Sequence, residues 1–478
     1  MSKNIIVFIV LGFMTVLSCK KPVKEKQQKP NVLLICIDDL RPELNTYGAT
    51  HIHSPNIDNL AASGVQFNRH YVNAPSCGPS RFTLLTGVFG PQDNSALFKR
   101  AEKFNKDPNS VKPSMPEWFR KHGYTTVSVG KVSHHPGGRG GKLWNDSTKI
   151  EIPNAWDKHL MPVGEWETPV GTMHGLAHGE VRKKANEMAI FQSAVGTDMI
   201  YPDGLITKEG LKQLKTLASD NSKPFFLAIG LIKPHLPFGA PKKYMDLYDG
   251  IEFPEIQHPD KPEGITTWHK SGEFMKYNRW EKDPNEDNTF AQEIIKHYAA
   301  CVSYADKHVG DILNQLKQIG ADKNTIVILW GDHGWHLGEH AIWGKHSLFE
   351  ESLHSPLIIS YPNMDKSDSK TDAIVSTVDI FPTLCDLTGI ETPDFVKGET
   401  LKPFIENPNK SGHTAIAYRA NNHTIRTDTH RMTLHKNGFV ELYDHTSKEK
   451  ETKNVAEENP KLVETLKALI EEKIKPAH

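Results

Sequence analysis

The sequence predicts an α/β protein: a large doubly wound, mixed or parallel sheet flanked by helices, then a small C-terminal antiparallel sheet with a helix. Three observations carry this expectation. First, short apolar, β-branched runs recur at 31–37, 125–130, 225–230, 325–330 and 356–360, most of them ending at Gly, Pro or Asp. Such runs suit buried parallel strands. Second, helical stretches lie between them. The clearest spans about 290–316, where Tyr298, Val302, Ala305, Val309, Ile312 and Leu316 recur at steps of four and three before Gly320 stops the pattern. Strands alternating with helices imply a sheet covered on both faces, with ligands bound beyond the carboxyl ends of its strands. Third, from about His413 the pattern changes to short strands joined by tight turns, one at K-N-G-F, and a last helix over 460–474.

The organisation read from these elements is a leader over 1–18, a tether over 19–29, a catalytic unit over 30–400 and a C-terminal subdomain over 401–478. The leader carries one early Lys and an apolar run from Ile5 to Leu17. That run is shorter than the roughly 18–20 residues that span a bilayer, so it reads as a signal-peptide core. It ends in V-L-S-C, which resembles a bacterial lipoprotein box with Cys19 as the lipidated residue; a plain cleaved signal is the alternative. Either reading places the protein outside the cytoplasm, in the periplasm or at the cell surface. A lipid at Cys19 would be its sole membrane attachment. Segments 140–222 and 249–288 have few strand signals and read as insertions that wall a cleft.

With 57 Lys and Arg against 58 Asp and Glu, the formal net charge is −1. No global field draws the chain to nucleic acid or to an anionic membrane, so an anionic substrate must meet a local basic pocket. Cys36, Cys301 and Cys385 lie in apolar segments and read as buried free thiols. Cys77 differs, because Ala, Pro, Ser and Gly surround it in a turn.

The first strand ends in Asp38-Asp39, and the run at 325–330 ends in G-D-H-G-W, which contains Asp332 and His333. Acids gathered at strand ends are costly unless a cation or hydrogen-bond donors neutralise them. A hard divalent ion would suit the carboxylates, whereas the His leaves the metal open on spacing alone. Between these segments lies A-P-S-C-G-P-S-R-F-T-L-L-T-G. Pro79 reads as the opening of a helix, with Cys77 just ahead of its N-terminus, where backbone N–H groups favour an anion. Arg81 adds a forked cation suited to sulfate or phosphate oxygens.

C-x-P-S-R followed by an apolar helix and T-G resembles the signature of the type I sulfatases, the formylglycine-dependent members of the alkaline phosphatase superfamily. The resemblance extends through S-P-N-I-D-N-L-A at 54–61, V-G-K-V-x-H-H-P-G from Val129, K-P-H-L-P-F from Lys233, G-D-H-G-W-H-L-G-E-H and Trp343-Gly344-Lys345. In detail it is most like the iduronate-2-sulfatase group. Asp332-His333 stands where many other sulfatases place Asp-Asn.

The resemblance implies a sulfuric ester hydrolase in which a dedicated maturation enzyme oxidises Cys77 to formylglycine. One hydroxyl of the hydrated aldehyde attacks sulfur, and deprotonation of the other releases sulfate; a Ser nucleophile would leave a stable ester. It further implies that Asp38, Asp39, Asp332 and His333 hold Ca2+ together with residue 77. Arg81, Lys131 and Lys345 would neutralise the sulfate oxygens, His235 would be the general acid, and His134, rather than its neighbour His135, would promote collapse of the diol. The substrate implied is a sulfated polysaccharide or oligosaccharide, a glycosaminoglycan or an algal polymer such as ulvan. Two other readings compete: a phosphodiesterase or phosphonate monoester hydrolase of the same superfamily, and a catalytically silent carbohydrate-binding lipoprotein.

Overall fold

The computed structural model describes residues 29–181, 184–220, 222–362, 364 and 368–474. The expected signal segment, Cys19 and the tether up to residue 28 lie outside the described residues. Among the described residues no helix is long and apolar enough to cross a membrane.

Eight strands form the main sheet: β1 (Asn31–Ile37), β2 (Val65–Tyr71), β3 (Thr125–Gly130), β4 (Lys158–Leu160), β5 (Phe225–Leu231), β6 (Thr325–Gly331), β7 (Leu357–Ser360) and β8 (Ser369–Ser376). Their spatial order is β8-β2-β7-β6-β1-β5-β3-β4. At the centre, Val32 pairs in parallel with Ile326 of β6 on one side and Phe226 of β5 on the other. Side chains alternate between faces with period two, so Leu33, Ile35 and Ile37 enter one core and Val32, Leu34 and Cys36 the other, all fully buried. That is why the strand reads as an unbroken apolar run.

Helices cover both faces. α1 (Pro55–Ala62), α3 (Pro202–Ala218) and α4 (Asn288–Gln318) pack on the first core, while α2 (Cys77–Thr86) and α5 (Ile380–Thr388) pack on the second. α4 is the long helix expected from the apolar steps, and the Asp287 carboxylate caps it by accepting from the Phe290 amide at 3.0 Å.

Two expectations need correction. The run at 356–360 forms β7, but β7 is antiparallel to both β6 and β2. The chain leaves β6 at its carboxyl end and returns from that same end after a short antiparallel pairing of His336-Leu337 with Trp343-Gly344 and the short helix Glu350–Leu353, so no parallel crossover is made. Segment 140–222 is not simply an insertion, because it supplies edge strand β4 and layer helix α3. Gly204 and Gly210 weaken the helical signal of α3, yet both sit at close approaches. A Cβ at Gly204 would lie 2.2 Å from the Asp198 carbonyl oxygen, and one at Gly210 would lie 2.8 Å from Ile229.

The C-terminal sheet is the expected meander: β9 (Ala415–Arg419), β10 (Asn422–Arg426), β11 (His430–Leu434) and β12 (Val440–Asp444) pair in sequence, all antiparallel. α6 (Pro460–Ile474) lays Leu466 and Ile470 on Ile416, Ile425, Met432 and Leu442. Cys36, Cys301 and Cys385 are buried free thiols, as the sequence suggested.

Candidate active site

The carboxyl ends of four adjacent strands, β6, β1, β5 and β3, deliver Asp332, Asp38-Asp39, His235 and Lys131 to one place. Consecutive strand residues normally point to opposite faces. Asp39 escapes that rule by adopting a left-handed backbone, φ 59°, which Asp tolerates better than most residues. The two carboxylates therefore converge. Gly130 does similar work at the end of β3: φ is 78°, and a Cβ there would lie 2.2 Å from the Gly230 carbonyl oxygen.

Cys77 is the first residue of α2, not the residue ahead of it, so the helix starts two residues earlier than Pro79 suggested. Its Sγ lies 3.3 Å from His333 Nε2, 3.3 Å from Lys345 Nζ and 3.8 Å from Lys131 Nζ. Burial, together with the Asp38 carboxylate, pushes the Cys77 thiol well above its ordinary pKa despite those lysines. The unmodified thiol is therefore a poor nucleophile.

Arg81, one turn along α2, is fully buried and binds the site from below. Its Nε donates to Asp332 Oδ2 at 2.9 Å, its Nη2 to Asp38 Oδ1 at 3.2 Å, and its Nη1 to the Lys131 and Val132 carbonyls. Lys131 Nζ contacts Asp38 Oδ2, and Lys345 Nζ donates to Asp39 Oδ1 at 2.8 Å. Burial opposes the charged form of Asp38, but Lys131, His235 and Arg81 outweigh it and hold the carboxyl well below its usual range. Burial and the Asp38 charge push Asp332 up to about 6. Both Asp332 oxygens are engaged, Oδ1 by the Asp39 amide at 2.9 Å and Oδ2 by Arg81.

Asp38, Asp39, Cys77 and His333 each bring a ligand atom within 4.8 Å of the others. The residues fit a divalent ion on two counts. Asp39 Oδ2 is buried with no hydrogen-bond partner, a costly state that a cation would relieve. His333 Nδ1 lies 3.0 Å from the Gly334 carbonyl and donates to it, and burial lowers its pKa to about 3, which leaves the Nε2 lone pair facing the acids and Cys77. Asp332, the other acid expected there, lies beside this set, with Oδ2 3.6 Å from His333 Nε2.

Residues 30–390 match the family model described as Sulfatase. The chain belongs to the sulfatase family. Residues 338–476 also match the model of the N-sulphoglucosamine sulphohydrolase C-terminal region. A sulfatase of Formosa agariphila is 31% identical, with 97% of this chain and 91% of that protein covered. Human iduronate 2-sulfatase is 31% identical, covering 76% of this chain and 70% of its own. In fold, a phosphonate monoester hydrolase of Agrobacterium radiobacter superposes with a TM-score of 0.70 at 21% identity, over 93% of this chain and 96% of that one. The family match and the sulfatase relatives make the chain a sulfuric ester hydrolase.

Above Cys77 the sulfatase opens into a cavity of about 640 Å3 that also takes in His134, His235 and Lys345. His134 Nδ1 is buried without a partner, and burial together with Lys131 holds the ring well below its ordinary pKa, so it is neutral. His135 turns away and pairs with Glu151 at 2.8 Å. His235 Nδ1 lies 2.6 Å from the Leu236 carbonyl, and its Nε2 lies 3.4 Å from Glu273 Oε1.

Glu273 was not singled out from the sequence. It stands within 3.4–3.7 Å of His235, Lys345 and His346, and although burial opposes its charge, Lys345 and His235 hold it well below the ordinary range. Arg419, at the end of β9, also lines the cavity. The only hint for Glu273 was that segment 249–288 would form a wall, and that segment does supply His269, Lys270, Glu273 and Lys276; Arg419 lies outside it and carried no signal.

Proposed function

We propose that this sulfatase hydrolyses sulfate esters of a sulfated polysaccharide or oligosaccharide, of glycosaminoglycan or ulvan type, with formylglycine made from Cys77 and with Ca2+ as cofactor. The observation that carries the reading is the setting of Cys77: a helix N-terminus between Lys131, Lys345 and His333 at the floor of a basic cavity. Asp38, Asp39, Asp332 and His333 would hold the calcium together with residue 77. Bound there, calcium supplies positive charge that acidifies a hydroxyl at position 77 and stabilises the sulfate oxygens. Formylglycine at position 77, once hydrated, would supply two hydroxyls, a nucleophile for sulfur and a second proton whose loss would free the sulfate. Cys77 Sγ marks where those oxygens would stand.

The remaining roles belong to this chain's own side chains. Lys131 and Lys345 bind the sulfate oxygens, and Arg81 fixes Asp38 and Asp332 while adding its charge beneath them. His235 donates a proton to the leaving alkoxide, with Glu273 beside its Nε2 to orient it. Neutral His134 takes the proton of the second hydroxyl. A merely carbohydrate-binding protein would need none of this. Because Cys77 is only 3% exposed in the fold, its maturation enzyme must act before folding buries it. Export follows the signal segment, with a lipid anchor at Cys19.

Release of inorganic sulfate from a panel of defined sulfated oligosaccharides, with phosphonate and phosphate monoesters as controls, tests the reading. Turnover confined to one sulfated sugar class is expected. Faster turnover of a phosphonate ester than of every sulfate would overturn it.

A further inference from the structure

We propose that His336, His340 and Glu351 form a second metal site, a zinc-class site separate from the catalytic centre, that clamps the loop bearing His333 and Lys345. The three side chains bring ligand atoms within 4.8 Å of one another. Glu351 Oε2 lies 3.4 Å from His336 Nε2 and 3.7 Å from His340 Nδ1. A tetrahedral zinc with bonds of about 2.0–2.1 Å sets its ligands about 3.3 Å apart, so these separations suit a shared ion.

The polar accounting points the same way. His336 Nε2, both ring nitrogens of His340 and Glu351 Oε2 are all buried without a hydrogen-bond partner. The two rings are 0% and 2% exposed. Orphaned buried atoms on three converging side chains are costly, and one cation would relieve His336 Nε2, His340 Nδ1 and Glu351 Oε2, with His340 Nε2 on the far side of its ring. His336 Nδ1 lies 3.2 Å from the Gly344 carbonyl and donates to it, leaving Nε2 as a lone pair. Burial keeps that ring neutral by lowering its pKa to about 3. The His340 ring stacks on Phe349 at 4.3 Å, which fixes its direction. Another cluster, Glu350, His445 and Glu451, has similar composition. There, however, Arg426 and Arg431 already neutralise the carboxylates, so no ion is needed.

Two imidazoles and one carboxylate select a borderline transition ion rather than calcium. Entry is provided by a groove of about 410 Å3 that Glu351 lines together with Glu43, Glu255, Glu339 and Glu350, against Arg41 alone among Lys and Arg. Solvent from that groove can supply a fourth ligand. The clamp joins the segment after β6 to the short helix Glu350–Leu353, and Trp343-Gly344 pairs back on His336-Leu337 between them. Lys345 follows directly.

The test uses the full-length, calcium-saturated enzyme. Zinc is measured by elemental analysis after dialysis and by chelator competition, and Co2+ substitution is followed by d–d absorption. About one zinc per chain is expected beyond any at the catalytic centre, with tetrahedral cobalt bands. His340→Ala and the isosteric Glu351→Gln should each weaken zinc binding by roughly a hundredfold or more. Cys77→Ser should retain it. His336→Gln serves if either variant fails to fold. Absence of zinc binding in the wild type, equal zinc in the His340 and Glu351 variants, or loss of zinc in Cys77→Ser would overturn the proposal.

Discussion

At the scale of single residues, the site works by letting charges that are costly alone neutralise one another. Three buried cations, Arg81, Lys131 and Lys345, face the buried carboxylates of Asp38, Asp39 and Asp332. Adding a divalent ion makes the pocket net positive, as an anionic ester requires. Asp39→Asn should lose both calcium and turnover, read by elemental analysis and by sulfate release. His235→Ala should lose roughly 10²–10⁴-fold on sugar sulfates, the range typical of a general acid. The loss should be much smaller on an aryl sulfate, whose phenolate leaves without a proton. Equal losses on both would reduce His235 to a binding group. The central set was legible because each member sits at a motif or a strand end. Glu273 and Arg419 were not, since their roles arise only when segment 249–288 and β9 fold over the cavity.

At the scale of elements, legibility followed apolar periodicity. β1 was readable to its end because a strand buried on both faces is almost continuously apolar, and β3, T-T-V-S-V-G, through its β-branched residues and closing Gly. β2, V-Q-F-N-R-H-Y, and β8, S-K-T-D-A-I-V-S, carry polar residues toward the sheet edge and left no such run. The direction of β7 was unreadable, as strand polarity depends on the connection and not on the residues in the strand.

One junction between elements makes a pH prediction. The His413 amide donates to the Ile374 carbonyl of β8, and His413 Nε2 lies 2.8 Å from Asp379, just before α5. Burial disfavours the imidazolium, but the Asp379 charge outweighs it and raises the pKa to about 9. A raised folded-state pKa contributes stability that is complete below about pH 6.5 and is lost as pH climbs through about 9. The contribution is about 3 kcal/mol at most. His413→Gln should therefore lower the unfolding free energy at pH 6 and leave it nearly unchanged at pH 10. A constant difference across that range would refute the linkage.

At the scale of the whole molecule, metal, maturation and fold are one problem. Calcium that binds only the native state should stabilise it by about 2.7 kcal/mol at a hundredfold excess over Kd. Chelation should then lower Tm and abolish activity, and calcium should restore both. The fold buries Cys77, so on the proposed reading its conversion would precede folding. The most direct measurement is mass spectrometry of the tryptic peptide 70–81 from active enzyme, with hydrazide labelling of any carbonyl. The account predicts a formylglycine at position 77, in a fraction that tracks specific activity across preparations. Fully active enzyme carrying only the unmodified thiol would contradict it.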